Sequence, residues 1–190
     1  MRVPVSLLKS FVDISTSPQA LADLMNGRIA EVEHVVRFPS RSALSDVCVA
    51  EASRRLDGND DWELWLFNVG ERQASIVVGK QYNVQAGVHY AAICQGGKTP
   101  NGTLVEARQV GGFESAGMLV SESMLGIGEE AASPLMFAPD IDASIHPYDL
   151  LELDDAILEF DLEPNRPDLF SLLGMARDLS AIFGEDLRMP

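Results

Sequence analysis

The sequence has two cysteines, three histidines and few bases, and each scarcity excludes a class of chemistry. Cys48 and Cys94 lack metal spacing and are too few for a disulfide framework, so both read as small core hydrophobes in a reducing cytoplasm. His34, His89 and His146 are scattered, without a cysteine or acid at ligand spacing, so neither a metal centre nor a nucleophilic triad follows. Lys and Arg number 14 against 29 Asp and Glu, a formal net charge of −15. Polyphosphate binding rests on cations that neutralise phosphates, so this charge argues against the chain gripping one alone. No apolar run approaches the roughly 20 residues of a membrane helix, and the first residues lack a signal-peptide core. A cytoplasmic protein without membrane contact is expected.

What is present suits one sizeable domain or two small ones, with apolar residues enough for a core in 190 residues. The most informative stretch runs from Ile157 to Gly184. Leu158, Phe160 and Leu162 alternate with Glu159 and Asp161, the period of a half-buried strand over 157–162. Pro164 and Pro167 end that strand by removing ladder donors. Asp168 is the expected N-cap of a helix over 168–183, whose apolar face includes Leu172, Ala176 and Leu179, and Gly184 stops it. Near the start, Leu7, Leu8, Phe11 and Val12 suggest one or two helical turns. Ser17-Pro18 opens a helix and Asn26-Gly27 closes it. Residues 30–37 read as a strand with Val32 and Val36 on one side.

From Phe38-Pro39-Ser40 onward the texture changes to short strands between turn-rich separators. Strands are expected near 46–52, 62–69, 73–78, 89–94 and 104–110, a pattern suiting a small barrel of the OB type. A short helix is expected over 121–125, and the acidic segment 129–155 reads as a linker wrapping back to the first domain. The predicted class is therefore α+β: a small split α/β domain (1–38 and 151–190) interrupted by an inserted OB-type β-barrel with its linker (39–150). Strand 157–162 is expected to join strand 30–37, and helix 168–183 to lie beside helix 18–25.

No catalytic constellation is visible. Gly126-Ile127-Gly128-Glu129-Glu130-Ala131 formally fits a dinucleotide fingerprint, but no strand precedes it and its glutamates repel a pyrophosphate. OB barrels bind single strands through a face of aromatics and cations. Arg54, Arg55, Lys80, Lys98 and Arg108 are the candidate cations, and Trp62, Trp65, Phe67 and Tyr82 the candidate stacking rings. Arg54 and Arg55 read as a solvated loop. Trp65 and Phe67 share parity with Glu63, whereas Trp62, Leu64 and Leu66 point the other way; Leu64 and Leu66 are expected in the core, with Trp65 between the two roles. Asn165-Arg166-Pro167-Asp168 reads as a rigid turn with a helix cap, and Arg166 and Arg177 pair with local acids or face a partner subunit. Arg177→Ala is expected to affect folding or assembly more than nucleic-acid affinity.

Two runs resemble one family. Gly111-Gly112-Phe113-Glu114-Ser115-Ala116-Gly117-Met118-Leu119-Val120-Ser121-Glu122 and on to Gly126 resembles the barrel-closing "RGVxSxGMLCSExELG" of tRNA-binding OB domains. Pro164-Asn165-Arg166-Pro167-Asp168, with Ser171, Gly174 and Ala176-Arg177-Asp178, resembles the "TPNRxDxxSxxGxARD" run of bacterial-type phenylalanyl-tRNA synthetase β subunits. Val5-Ser6-Leu7-Leu8-Lys9 is similar to that subunit's start, so the resemblance covers the whole chain. The family's "VCGAxN" stands here as Val78-Gly79-Lys80-Gln81-Tyr82-Asn83, which keeps Asn83 and loses the cysteine. The resemblance implies the N-terminal portion of a longer β subunit that pairs with an α subunit in an α2β2 tetramer. It places the ATP and phenylalanine site with its magnesium on the α subunit, and leaves this portion without catalytic site, editing site or cofactor. It implies structure, subunit contact and auxiliary tRNA(Phe) contact, with Arg54, Arg55, Lys80, Asn83, Lys98 and Arg108 as tRNA candidates. Asn165, Arg166, Asp168, Ser171 and Arg177 form its structural motif. The barrel by itself also allows a free-standing tRNA-binding module or chaperone, and the charge allows an acidic protein-interaction module.

Overall fold

Short capped helices and alternating strands build the chain, and the computed structural model describes residues 1–189. In order these are β1 (Arg2–Pro4), α1 (Val5–Phe11), α2 (Pro18–Asn26), β2 (Glu31–Arg37), β3 (Val47–Gly58), β4 (Trp62–Val69), β5 (Arg72–Gly79) and β6 (His89–Cys94). There follow β7 (Arg108–Val110), β8 (Phe113–Ser115), β9 (Gly117–Leu119), α3 (Glu122–Leu125), α4 (Pro147–Leu150), β10 (Ala156–Asp161) and α5 (Leu172–Phe183). The chain forms two compact units, one from Met1–Phe38 together with residues from Asp154 onward, the other from Pro39–Leu153.

The first unit is a three-stranded antiparallel sheet, β1-β10-β2, covered by helices. Strand β10 joins β2 as expected, and β1 adds a third strand on its other edge. Ser17 caps α2 by accepting from the Ala20 amide at 3.2 Å, with Pro18 at the first helical position. Leu158 and Phe160 bury against Val3, Leu8, Leu21 and Met25, following their period of two. Strand β2 departs from the expected parity. The pairing jumps from Glu159↔His34 to Phe160↔Val32, so Glu33 is an extra residue in a β-bulge. The bulge flips the alternation, and Val35, not Val36, joins Val32 against the core.

The last helix also differs from expectation. Pro167–Phe170 is a 3₁₀ turn, and α5 starts only at Leu172 with Ser171 as its cap. Ser171 Oγ accepts from the Gly174 amide at 3.1 Å and donates to the Asp168 carbonyl at 3.0 Å. Asp168 caps nothing because Arg166 takes its carboxylate. The neighbouring helix against α5 is α1 rather than α2, which instead packs on β2 and β10.

The second unit is a five-stranded antiparallel sheet, β5-β4-β3-β6-β9, curled into a near-closed barrel. Its fifth strand is β9, not 104–110; that stretch supplies only β7 of a small hairpin with β8. Closure runs through the serine before β9. Ser115 Oγ accepts from the Val77 amide at 2.9 Å and donates to the Gly117 carbonyl, while the Ala116 amide donates to the Ser75 carbonyl at 2.8 Å. Gly117 is required there: a Cβ would sit 2.8 Å from the Ile93 carbonyl oxygen. The acidic segment 129–155 is not a free linker: up to Leu153 it belongs to this unit. Leu135 donates to Val120 and accepts from Ala91, and Phe137 donates to His89, so the segment extends the ladder beside β6. Helix α4 lies against β3, and Arg41 pairs with Asp149 and sits 5.9 Å over the Tyr148 ring.

Candidate nucleic-acid interface

The barrel interior decides which aromatics are free to stack. Along β4 the buried set is Glu63, Trp65 and Phe67, while Leu64 and Leu66 are half-buried, the reverse of the expected parity. Phe67 meets Tyr90 edge to face, with centroids 6.2 Å apart. Small residues on the facing strands, Ala50, Ala52 and Ala92, leave room for these rings. The burial of Glu63, only 9 % exposed, is compensated by partners. Its Oε2 accepts from Trp65 Nε1 at 2.9 Å and its Oε1 meets Arg55 Nη1 at 3.1 Å. A carboxylate sharing parity with two aromatics was the available signal for this network. Leu64 and Leu66 obscured it, because hydrophobicity alone ranks them as core.

Arg54 and Arg55 lie in β3, not in a solvated loop. Bulges at Ser53 and Leu56 flank them, where the pairing jumps from Ala52↔Phe67 to Arg54↔Leu66 and from Arg55↔Trp65 to Asp57↔Leu64. These two extra residues lengthen the strand past the point where its alternation ends. Arg55 is held by Glu63 and by the Asp57 carbonyl at 3.3 Å from Nε. Gly58 makes room for it, since a Cβ there would lie 2.4 Å from Arg55 Nη2. Arg54 is exposed.

Lys80 starts the 3₁₀ turn after β5 and its amide donates to the Asp61 carbonyl at 2.9 Å. It lines one shallow hollow with Trp62, Gln81 and the carboxylates of Asp60 and Asp61. Tyr82, in the same turn, is among the exposed large side chains. Asn83 ends the turn in the left-handed region at φ 48°, which asparagine tolerates. The Gly111 backbone lies against Trp62, and Asn59 Nδ2 donates to the Gly111 carbonyl at 2.8 Å. Lys98 and Arg108 are exposed elsewhere: the Lys98 amide donates to Asp46, and Arg108 lines a cleft with Leu104 and Met124. The six candidates therefore form no single basic patch. Lys80 and Asn83 share their turn with the exposed Tyr82.

In the first unit Arg166 is the centre of the Asn165–Asp178 motif. Its Nε and Nη2 grip both Asp168 oxygens at 3.0 and 2.7 Å, and Nη2 also reaches Asp178 at 2.7 Å. This clamp ties the 3₁₀ turn to α5 and holds the Asp168 carboxyl below the usual carboxylate range, chiefly through its hydrogen bonds from Arg166. Asn165 donates to Glu163 at 3.0 Å. Arg177 is exposed and makes no ion pair among the described residues, so the expected pairing falls to Arg166 alone. Arg166→Ala should lower the melting temperature and Arg177→Ala should leave it unchanged. Asp168 has a depressed folded pKa, so the clamp is fully formed above the ordinary carboxylate value of about 3.9. It is lost as pH falls through the lower folded value. The gap between Arg166→Ala and the parent chain should close over that acid range; a gap independent of pH would refute the clamp.

Gly126 ends α3 at φ 71° instead of opening a helix, so the glycine run there has no dinucleotide geometry. Among the described residues no three or more His, Cys, Asp or Glu side chains gather to hold a metal. No described helix is long and apolar enough to cross a membrane.

Comparison with known proteins gives a uniform result. The chain is 34 % identical over 188 residues to the phenylalanine-tRNA ligase beta subunit of Geobacter metallireducens, covering 99 % of this chain and 23 % of that protein. The beta subunit of Syntrophus aciditrophicus is 32 % identical over 193 residues (100 % and 24 % covered), and that of Thermotoga maritima 29 % over 192 residues (100 % and 24 %). The chain thus spans about a quarter of the length of the curated relatives it matches. No family model matches it.

Proposed function

From a chain that corresponds along its whole length to the N-terminal quarter of bacterial phenylalanine-tRNA ligase beta subunits, we infer a non-catalytic part of such a subunit. It serves structure and subunit contact, with tRNA contact only auxiliary. The partner is the ligase α subunit in an α2β2 assembly that joins phenylalanine to tRNA(Phe) in the cytoplasm. The ATP and magnesium of that reaction belong to the α subunit, and no step of it is derived from these residues.

The observation that carries the auxiliary role is that the barrel's candidate cations are scattered and lie among its own acids. Arg55 is taken by Glu63, and Lys80 shares its hollow with Asp60 and Asp61. Phosphate contacts release counterions, so their number sets the salt dependence of binding. With about three cations free to reach phosphate, the log-log slope of tRNA affinity against salt should be no steeper than roughly −3. Dissociation constants at about 200 mM salt should be no tighter than the non-specific range of roughly 10⁻⁴ to 10⁻⁶ M. Titrating the 190-residue chain with tRNA(Phe) at low and high salt checks this. Arg54→Ala, which removes one of the exposed cations, should flatten the slope by about one phosphate contact. Tight binding with a steep slope would instead make the barrel a primary tRNA site.

A further inference from the structure

Cys48 and Cys94 stand far apart in sequence, yet the β3–β6 pairing brings them together. Cys48 pairs with Ala92 across the ladder, and Cys94 lies two residues further along the same face. The two thiols share that face and one cavity, and the Cys48 S–H donates to the Ala92 carbonyl oxygen at 3.3 Å. Neither is in a disulfide, and both are half-buried. They line a cavity of about 360 Å³ at the barrel end where β4 finishes and β5 begins, away from Trp62 and Lys80. Opposite Cys94 on β9 stands Gly117, packed too closely against the β6 backbone to carry a side chain. Among the described residues Arg72 is the one charged side chain lining this cavity.

We propose that Cys48 and Cys94 are a thiol pair that a hydroperoxide oxidises to an intramolecular disulfide, with Cys94 as the attacking sulfur. The neighbouring Cys48 thiol lowers the Cys94 thiol to about 7, with burial opposing and the Arg72 guanidinium acting in the same direction. The Cys48 thiol is raised by the neighbouring Cys94 and by burial. Cys94 is therefore the nucleophile, and Cys48 holds its proton until the second step. In the first step the Cys94 thiolate attacks one peroxide oxygen and the O–O bond breaks. This leaves a sulfenic acid and hydroxide, which takes a proton to become water. The Cys48 sulfur then attacks the Cys94 sulfur, and the S–S bond forms as the S–O bond breaks. The hydroxyl leaves with the Cys48 proton as water. Two thiols lose two electrons and two protons, and one peroxide becomes two waters.

Treating the full 190-residue chain with hydrogen peroxide should remove both free thiols together. The intact mass should fall by two hydrogens, peptide mapping should find Cys48 joined to Cys94, and dithiothreitol should restore both thiols. In Cys48→Ser the reaction should stop at a dimedone-trappable sulfenic acid on Cys94, whereas Cys94→Ser should leave Cys48 nearly inert. Without peroxide, iodoacetamide at neutral pH should label Cys94 more than about ten-fold faster than Cys48 in the unmutated chain, since the thiolate is the nucleophile. Equal labelling rates, or sulfinic and sulfonic acid on Cys94 beside a free Cys48, would overturn the proposal. Because mapping and labelling use the unmutated chain, a variant that misfolds does not spoil the test.

Discussion

Gly174→Ala should unfold the first unit well below the melting temperature of the parent chain. A Cβ at this position would sit 2.0 Å from the Asp168 carbonyl oxygen and 2.7 Å from its carbon. Both are backbone atoms of a turn already held by Arg166 and Ser171, so no side chain is available to rotate away. Overpacking of this kind costs about 1–3 kcal/mol and sometimes more. Alanine recovers up to about 1 kcal/mol of helix propensity, which is too little to offset a backbone collision. A net loss of at least about 2 kcal/mol is expected. Gly27→Ala is the matched control, with φ −86° and nothing within 4 Å of the point an added methyl would occupy. It should be neutral or stabilise by up to about 1 kcal/mol. Thermal melts by far-UV circular dichroism compare the two, and similar melts would show that the turn and α5 do not meet as described.

Phe67→Ala should carry the largest cost in the barrel. Phe67 is fully buried and meets Tyr90 edge to face, so truncation removes apolar burial and leaves a cavity walled by paired strands. Such substitutions cost about 3–5 kcal/mol. Leu66→Ala, one residue away on the half-buried face, should cost clearly less. Both tryptophans of the chain, Trp62 and Trp65, lie on β4, so tryptophan fluorescence during denaturant unfolding reports on the barrel. A larger midpoint shift for Leu66→Ala than for Phe67→Ala would return the core to the leucine face.

These contrasts mark where sequence reading worked. Elements written in short-range chemistry were legible: the Ser17-Pro18 helix start, the alternation of Leu158 and Phe160, the capped turn at 121–125 and the glycine stop at Gly184. Each depends on residues within one turn or one pleat, so local propensity and capping suffice. The α+β class with an OB-type barrel followed from the spacing of short strands and turns, and the resemblance added the specific order of the blocks. Strand parity in β2 and β3 was not legible, because bulges at Glu33, Ser53 and Leu56 shift the alternation without any marker in composition. The fifth barrel strand was likewise hidden, being only Gly117–Leu119 and fastened through Ser115 and Ala116.

The candidate interface divides along the same line. Sequence alone determined a chain poor in cations, with its histidines and cysteines scattered outside metal-ligand spacing, carrying an Asn-Arg-Pro-Asp turn before its last helix. Tertiary structure decided that Arg55 is spent on Glu63, that Trp65 and Phe67 fill the barrel, and that Arg166 clamps the turn where Arg177 does not. It also decided that two cysteines which look solitary in the sequence share one sheet face and line one cavity. Charge and residue type add up along a chain whatever its shape. Partnership does not, because register and closure choose which side chains meet, and both are set by contacts between residues remote in sequence.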